Sequence, residues 1–169
     1  MTAPSAAGWA CVARRLALTA FVLVAQVAHA APLAAGDTWQ PVTLADAHDR
    51  PFTVGADLRA VIFTADKATS DLVAETLGPQ AAEQLRERRA VVVADIHAMP
   101  ALVTRLFALP ALRGLPFPIG LARDAAQTAD WPRAKGRITL IRLRDGHIEA
   151  LQSLGSAAEL RAALALPAP

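Results

Sequence analysis

Arg59-Ala60-Val61-Ile62-Phe63-Thr64-Ala65-Asp66-Lys67-Ala68-Thr69-Ser70 is the stretch on which the fold turns. Ala60 to Phe63 is apolar without alternation, the pattern of a strand covered on both faces. The charged and hydroxyl residues after it, Ala65 to Ser70, read as the loop leaving that strand. A helix is expected from about Ser70 to Leu77, with Leu72, Val73 and Leu77 on one side. Gly78-Pro79 ends it, since glycine tolerates the left-handed cap and proline cannot continue a helix. Gln80 to Arg88 predicts a further short helical piece, and the local group Arg86, Arg88 and Arg89, interleaved with Glu83 and Glu87, reads as a solvated helix face.

Outward from this core the same logic repeats. Ala90 to Ile96 predicts a second buried strand. Pro100 suits the first turn of a helix, where its missing N–H costs nothing. That helix is expected to run through Leu102, Val103, Leu106 and Phe107 to Leu109, with Pro110 ending it. The spacing of Leu106, Phe107 and Leu109 predicts core packing, an exposed docking face being the other reading. Pro110 to Pro118 holds three prolines and forms either a rigid partner loop or a plain approach to the strand Ile119–Leu121. Arg123 to Arg133 is a polar connection carrying Trp131, which like Trp39 is read as a packing residue. Arg137 to Leu143 and Ile148 to Leu151 flank Asp145-Gly146, a strong hairpin signal. Ser156-Ala157-Ala158-Glu159 is a capping box that opens a last helix bearing Leu160, Ala163 and Leu164. Towards the N-terminus, Val42–Leu44 and Phe52–Val54 flank a polar turn with Pro51, a first hairpin.

Residues 1–30 have the layout of a cleavable export signal: Arg14-Arg15, the apolar run Leu16 to Val27, then Ala28-His29-Ala30 before Ala31. The run falls short of the roughly 20 residues that span a bilayer. The expected mature protein is therefore periplasmic, with no stable membrane span, one domain over 31–166 and a loose tail at 167–169. The chain carries 17 Lys and Arg against 15 Asp and Glu, and Arg14 and Arg15 are the only charged residues before Ala31. The remainder is thus balanced, with no Lys/Arg cluster, which argues against nucleic acid as a partner. The one cysteine, Cys11, lies inside the signal and ahead of its apolar run, so neither a lipid anchor nor an internal disulfide is expected.

The order strand–helix–strand–helix, hairpin, helix is a three-layer α/β/α pattern with a mixed central sheet. With the N-terminal hairpin over Val42 to Val54, the loop after Ala60–Thr64, and the closing strand–turn–strand–helix of Ile138 to Leu164, the chain resembles the thioredoxin superfamily, in particular its periplasmic peroxiredoxin and thiol-reductase branch. Phe117-Pro118-Ile119-Gly120-Leu121-Ala122-Arg123-Asp124 looks like the strand inserted before the final hairpin there. The resemblance implies a Cys-x-x-Cys or peroxidatic cysteine in the loop after the first buried strand. Here that loop has no sulfur, and Thr69 or Ser70 stands near the former cysteine position. A hydroxyl ionises too weakly to replace a thiolate. The cis-proline that the family places before the hairpin strand is also missing at Gly136-Arg137-Ile138-Thr139. Thiol–disulfide exchange and thiol peroxidase chemistry are therefore excluded. Asp95-Ile96-His97-Ala98-Met99-Pro100-Ala101-Leu102 with Leu109-Pro110-Ala111-Leu112-Arg113 is similar to small secreted bacterial proteins of unassigned role, some named as FAD- or FMN-containing dehydrogenases. No Gly-x-Gly-x-x-Gly supports that name, and no cofactor is predicted.

In open α/β sheets, ligands sit beyond the carboxyl ends of the strands. Asp66 and Lys67 follow the first buried strand, and Asp95 and His97 follow the second, so the four are expected on one rim. Lys135 and Arg137, from the former cis-proline loop, are expected to face it, with Arg113 nearby and helix N–H groups near Ser70. Several cations beside free N–H donors favour a small anion. The expected function is binding of a partner protein or small anionic ligand at this rim. The alternative is a non-thiol enzyme, or a cofactor-dependent oxidoreductase, using Asp66, Lys67, Asp95 and His97. Asp95 and His97 alone do not make a metal site. An Asp66/Ser70/His97 triad lacks the elbow motif of a hydrolase.

Overall fold

The computed structural model describes residues 31–166, so the expected export signal and the tail Pro167–Pro169 lie outside the described residues. A seven-stranded sheet carries the fold, with β1 (Val42–Asp46), β2 (Pro51–Val54), β3 (Ala60–Thr64), β4 (Ala90–Asp95), β5 (Ile119–Ala122), β6 (Ile138–Arg144) and β7 (His147–Leu154). Their spatial order is β2-β1-β5-β4-β3-β6-β7. β3, β4 and β5 are parallel neighbours, while both hairpins and the β3–β6 and β1–β5 pairs are antiparallel. All five residues of β3 are buried, as the unbroken apolar run requires. The parallel strands deliver the ends of β3 and β4 to the same edge.

The helices are α1 (Lys67–Leu77), α2 (Ala81–Glu87), α3 (Ala101–Val103), α4 (Leu109–Arg113) and α5 (Ala157–Ala163). Val73 and Leu77 of α1, Ala81 and Leu85 of α2 and Leu160 of α5 pack with Ile62, Val92, Leu121 and Leu140 on one face of the sheet. On the other face Val61, Phe63, Val93, Ile141 and Ile148 meet Trp39 and Trp131, carried by extended chain and by the loop after the 3₁₀ turn Ala125–Thr128. The two indoles lie 5.3 Å apart and Trp131 stands edge-on to Phe63 at 5.1 Å, so both tryptophans are the packing residues expected. The sheet is thus the middle layer, with longer helices on one side and irregular chain on the other.

Three local expectations are corrected. α1 begins at Lys67 rather than near Ser70, because the Asp66 carboxylate accepts from Thr69 N–H and caps the helix three residues earlier. The loop after β3 is therefore only Ala65 and Asp66. Pro110 does not end the helix that starts after Pro100. Thr104–Ala108 is π-helical and joins α3 to α4 without a break, with Leu109 N–H donating to Thr104 O, five residues back. An α-helical turn would drive the Pro110 ring against the Leu106 carbonyl, and the wider turn opens that contact. The third correction concerns the apolar side chains on this helix. Leu102 is 68% exposed, Leu106 56% and Phe107 69%, with Val103 also exposed; only Leu109 and Leu112 pack on the core. At the last helix, Ser156 Oγ accepts from Glu159 N–H, while the Glu159 carboxylate accepts from Gly155 N–H, one residue before the cap.

Candidate functional site

The carboxyl ends of β3 and β4 open into a cavity of about 460 Å³. Asp66, Lys67, Ser70 and Asp71 at the start of α1, Ala94 to Met99 at and beyond the end of β4 as the floor, and Val103, Phe107, Ala108, Ala111 and Leu112 of the helix after Pro100 line it together with Arg133. Five of the eight residues singled out in the sequence therefore share one pocket: Asp66, Lys67, Ser70, Asp95 and His97.

Asp95 organises the floor. Its carboxylate, at the last position of β4, is 3% exposed. One oxygen takes Arg133 Nη2 at 2.7 Å and Nε at 3.2 Å, with Thr128 Oγ1 at 3.4 Å. The other takes His97 backbone N–H at 3.1 Å and lies 2.6 Å from His97 Nδ1. Burial pushes the Asp95 carboxyl up, but the Arg133 and His97 hydrogen bonds outweigh it and hold the group below the ordinary carboxylate range. With Nδ1 donating to a carboxylate, neutral His97 keeps Nε2 as an acceptor, and among the described residues Nε2 has no partner. Arg133 also lies over the Phe63 ring at 5.4 Å, which fixes its stem between strand and loop.

Asp66 occupies the N-cap of α1, directly after β3. Its oxygens accept from Thr69 N–H at 2.9 Å and from Gly136 N–H at 3.0 Å. Burial raises its pKa, and these donors, with the Thr69 hydroxyl and the Ala68 N–H, more than reverse the effect and hold it below the ordinary carboxylate range. Gly136 adopts φ 69°, a left-handed conformation that suits glycine, and its loop brings the N–H to Asp66. Arg137 directly precedes β6, and every described peptide bond is trans. Ser70 Oγ meets Thr64 Oγ1 at 2.9 Å and donates to Asp66 O at 3.1 Å, so it contacts no histidine and the hydrolase triad is not assembled.

Three predicted residues do not line the pocket. Arg113 donates to Ala47 O at 2.8 Å, tying α4 to the first hairpin. Arg137 turns to Ser153 Oγ and O on β7, at 2.7 and 2.6 Å, and lies near Glu159. Lys135 belongs to the loop whose Gly136 backbone N–H donates to Asp66. The cluster of free cations expected for an anion is therefore absent among the described residues. Lys67 pairs with Asp71 and Arg133 with Asp95, and Asp66 itself takes the donors at the α1 N-terminus. One group escaped the sequence reading, Arg133, inside a polar connection without periodicity; the apolar stripe of α3 and α4 was legible, with exposure as its second reading. The Asp66-x-x-Thr69 spacing is a cap signal that marks the true start of α1. Among the described residues no three His, Cys, Asp or Glu side chains converge as a metal site, and no helix is long and apolar enough to cross a membrane.

No protein-family model matches the chain, and no curated protein matches it. Solved structures do. The thioredoxin domain of a thiol-disulfide oxidoreductase from Bacteroides vulgatus is 12% identical with a TM-score of 0.53, over 80% of this chain and 99% of that one. A peroxidoxin, BcpB, from Mycobacterium tuberculosis is 18% identical with a TM-score of 0.51, over 78% and 94%. A hypothetical protein from Sinorhizobium meliloti is 19% identical with a TM-score of 0.53, over 79% and 83%. At these identities the likeness is one of fold: the chain has an α/β, thioredoxin-like fold. It is a variant of that fold whose residues 31–166 contain no cysteine, so the domain holds no thiol for redox exchange.

Proposed function

We propose that this is an exported, periplasmic protein that binds a partner protein at the former redox rim, without thiol chemistry. The carrying observation is the continuity of the pocket with uncovered apolar surface. Val103 and Phe107 line the cavity, and Leu102 and Leu106 extend the same helix outward, exposed. Contiguous apolar surface beside a polar rim is what interaction sites present. A cavity of about 460 Å³ has the size of a ligand pocket, with an apolar wall and few polar groups to fix orientation. The charge pairing inside it supports an apolar segment of a partner over a small anion.

Amine-reactive crosslinking through Lys67 and Lys135 on the protein as the cell leaves it, followed by mass spectrometry, tests this reading. A partner captured by the parent protein and lost with Phe107→Ser supports it; capture unaffected by that change refutes the rim. The intact mass of the same sample reads the N-terminus: a start at Ala31 supports export, and a retained Met1 refutes signal cleavage.

One observation favours a second reading, a non-thiol enzyme. The Asp95–His97 contact of 2.6 Å at the pocket floor leaves Nε2 as a base within a concave site. In that case His97→Gln abolishes turnover of a small molecule while leaving partner capture intact. A bound flavin, required by the oxidoreductase variant, makes the purified protein yellow.

A further inference from the structure

We propose that the rim pocket selects a positively charged group on an apolar stem, an alkylammonium or a lysine side chain, with Asp66 as its counter-charge. This rests on the rim being a binding site and names the chemistry it takes. The lining charges decide the sign. Lys67 is engaged by Asp71, and Arg133 by the buried Asp95. Asp66 is left as the lining carboxylate with no cationic partner among the described residues, held by uncharged donors, chiefly the N–H groups of Thr69 and Gly136. Three carboxylates against two cations make the pocket net negative while His97 is neutral. An added anion meets no unpaired cation there. It also finds the N-terminus of α1 already occupied by a carboxylate.

The apolar part of the same lining supplies the second requirement. Met99, Val103, Phe107 and Leu112 line the same cavity, so a stem lies on hydrocarbon while its head reaches the carboxylate. An ammonium on a short alkyl chain matches both halves. A bare metal ion leaves the wall unused, and a neutral apolar ligand leaves Asp66 unmatched. Asp66 is partly solvated, so the charge sets preference, and the wall supplies much of the binding.

The test is calorimetric titration of the purified full chain with hexylamine, hexanol and hexanoate, which share a stem and differ in charge. The expected order is amine, alcohol, acid, with the amine roughly tenfold tighter than the alcohol. Asp66→Asn keeps an N-cap oxygen while removing the charge, and is expected to level amine with alcohol. Displacement of hexylamine by a lysine-centred peptide assigns the group to a partner protein; binding that such a peptide leaves untouched assigns it to a free amine. Equal binding of amine and alcohol, or tightest binding of hexanoate, overturns the charge assignment and leaves the pocket standing. Binding of none of the three overturns the pocket itself. The parent comparison needs no variant, so a folding defect in Asp66→Asn does not blur the result.

Discussion

Asp95 and Arg133, 38 residues apart in the chain, meet at 2.7 Å beneath the rim pocket, where the carboxylate is almost wholly buried. Arg133 reaches this point from a loop, by way of Phe63 and Thr128. The pair therefore fastens the irregular layer to the end of β4.

Removing Arg133 should be costly for that reason. In Arg133→Ala the Asp95 carboxylate keeps His97 and Thr128 but loses its fixed cation in a buried site. A stability loss of about 2–4 kcal/mol is expected, less than a fully orphaned charge because two partners remain. Urea unfolding measures it. A midpoint unchanged from the parent would mean that the pair is ornamental. Arg133→Lys should fall between, since it restores charge without the two-pronged geometry.

Acid should unfold the protein through its carboxylates. Asp46, Asp66 and Asp95 all have folded-state pKa values below the ordinary 3.8. Asp46 is held at about 2, chiefly through the Arg50 backbone N–H, against which burial acts, with the Arg50 side chain and His48 N–H assisting. A depressed folded pKa gives stability that is complete above the unfolded value and is lost as pH falls through the folded one. The unfolding midpoint should thus decline from near pH 3.8 towards about pH 2, and Asp46→Asn should flatten the lower part of that decline. A midpoint that is constant over this window contradicts the linkage.

The exposed apolar helix gives a prediction of opposite sign. Leu106 and Phe107 are more than half exposed, so Leu106→Ser with Phe107→Ser should shift stability by no more than about 1 kcal/mol. Binding of a hydrophobic dye should fall and partner capture should be lost. A loss of several kcal/mol would instead make these side chains part of the core.

What the residues disclosed in advance follows from how local each signal is. The β3 run, the Asp145-Gly146 hairpin and the Ser156 cap are decided by neighbours in sequence, and the structure has all three. Asp66, Lys67, Asp95 and His97 share a rim because parallel strands must present their carboxyl ends together. Arg133 was hidden because its role depends on a partner 38 residues away. Arg113 and Arg137 were misplaced since proximity to the rim in sequence does not set where a long side chain points; each found a closer acceptor, in Ala47 and Ser153. Helical spacing of Leu102 to Leu109 reports an apolar stripe and is silent on whether its cover belongs to the same chain. Pro110 misled because the proline rule presumes an α-helical turn before it, and here that turn is π.

The last prediction concerns the anion-stabilising power of the α1 N-terminus. Asp66 stands at the N-cap of α1, and two backbone N–H groups, from Thr69 and Gly136, converge on its carboxylate. Those donors and the helix dipole stabilise any anion held at that point, whether it is oxygen or sulfur. Asp66→Cys in a Cys11→Ser background should therefore carry a thiol more acidic than the ordinary value of about 8.5, by about one unit or more. The pH dependence of its alkylation reads this directly. Lys67 adds little, because Asp71 already engages it. A depressed pKa would mean that the fold retains the electrostatics of a thiolate site and lacks only the sulfur. A thiol titrating at or above the ordinary value would mean that the N–H groups turn away once the carboxylate is gone, and that Asp66 builds the site it occupies.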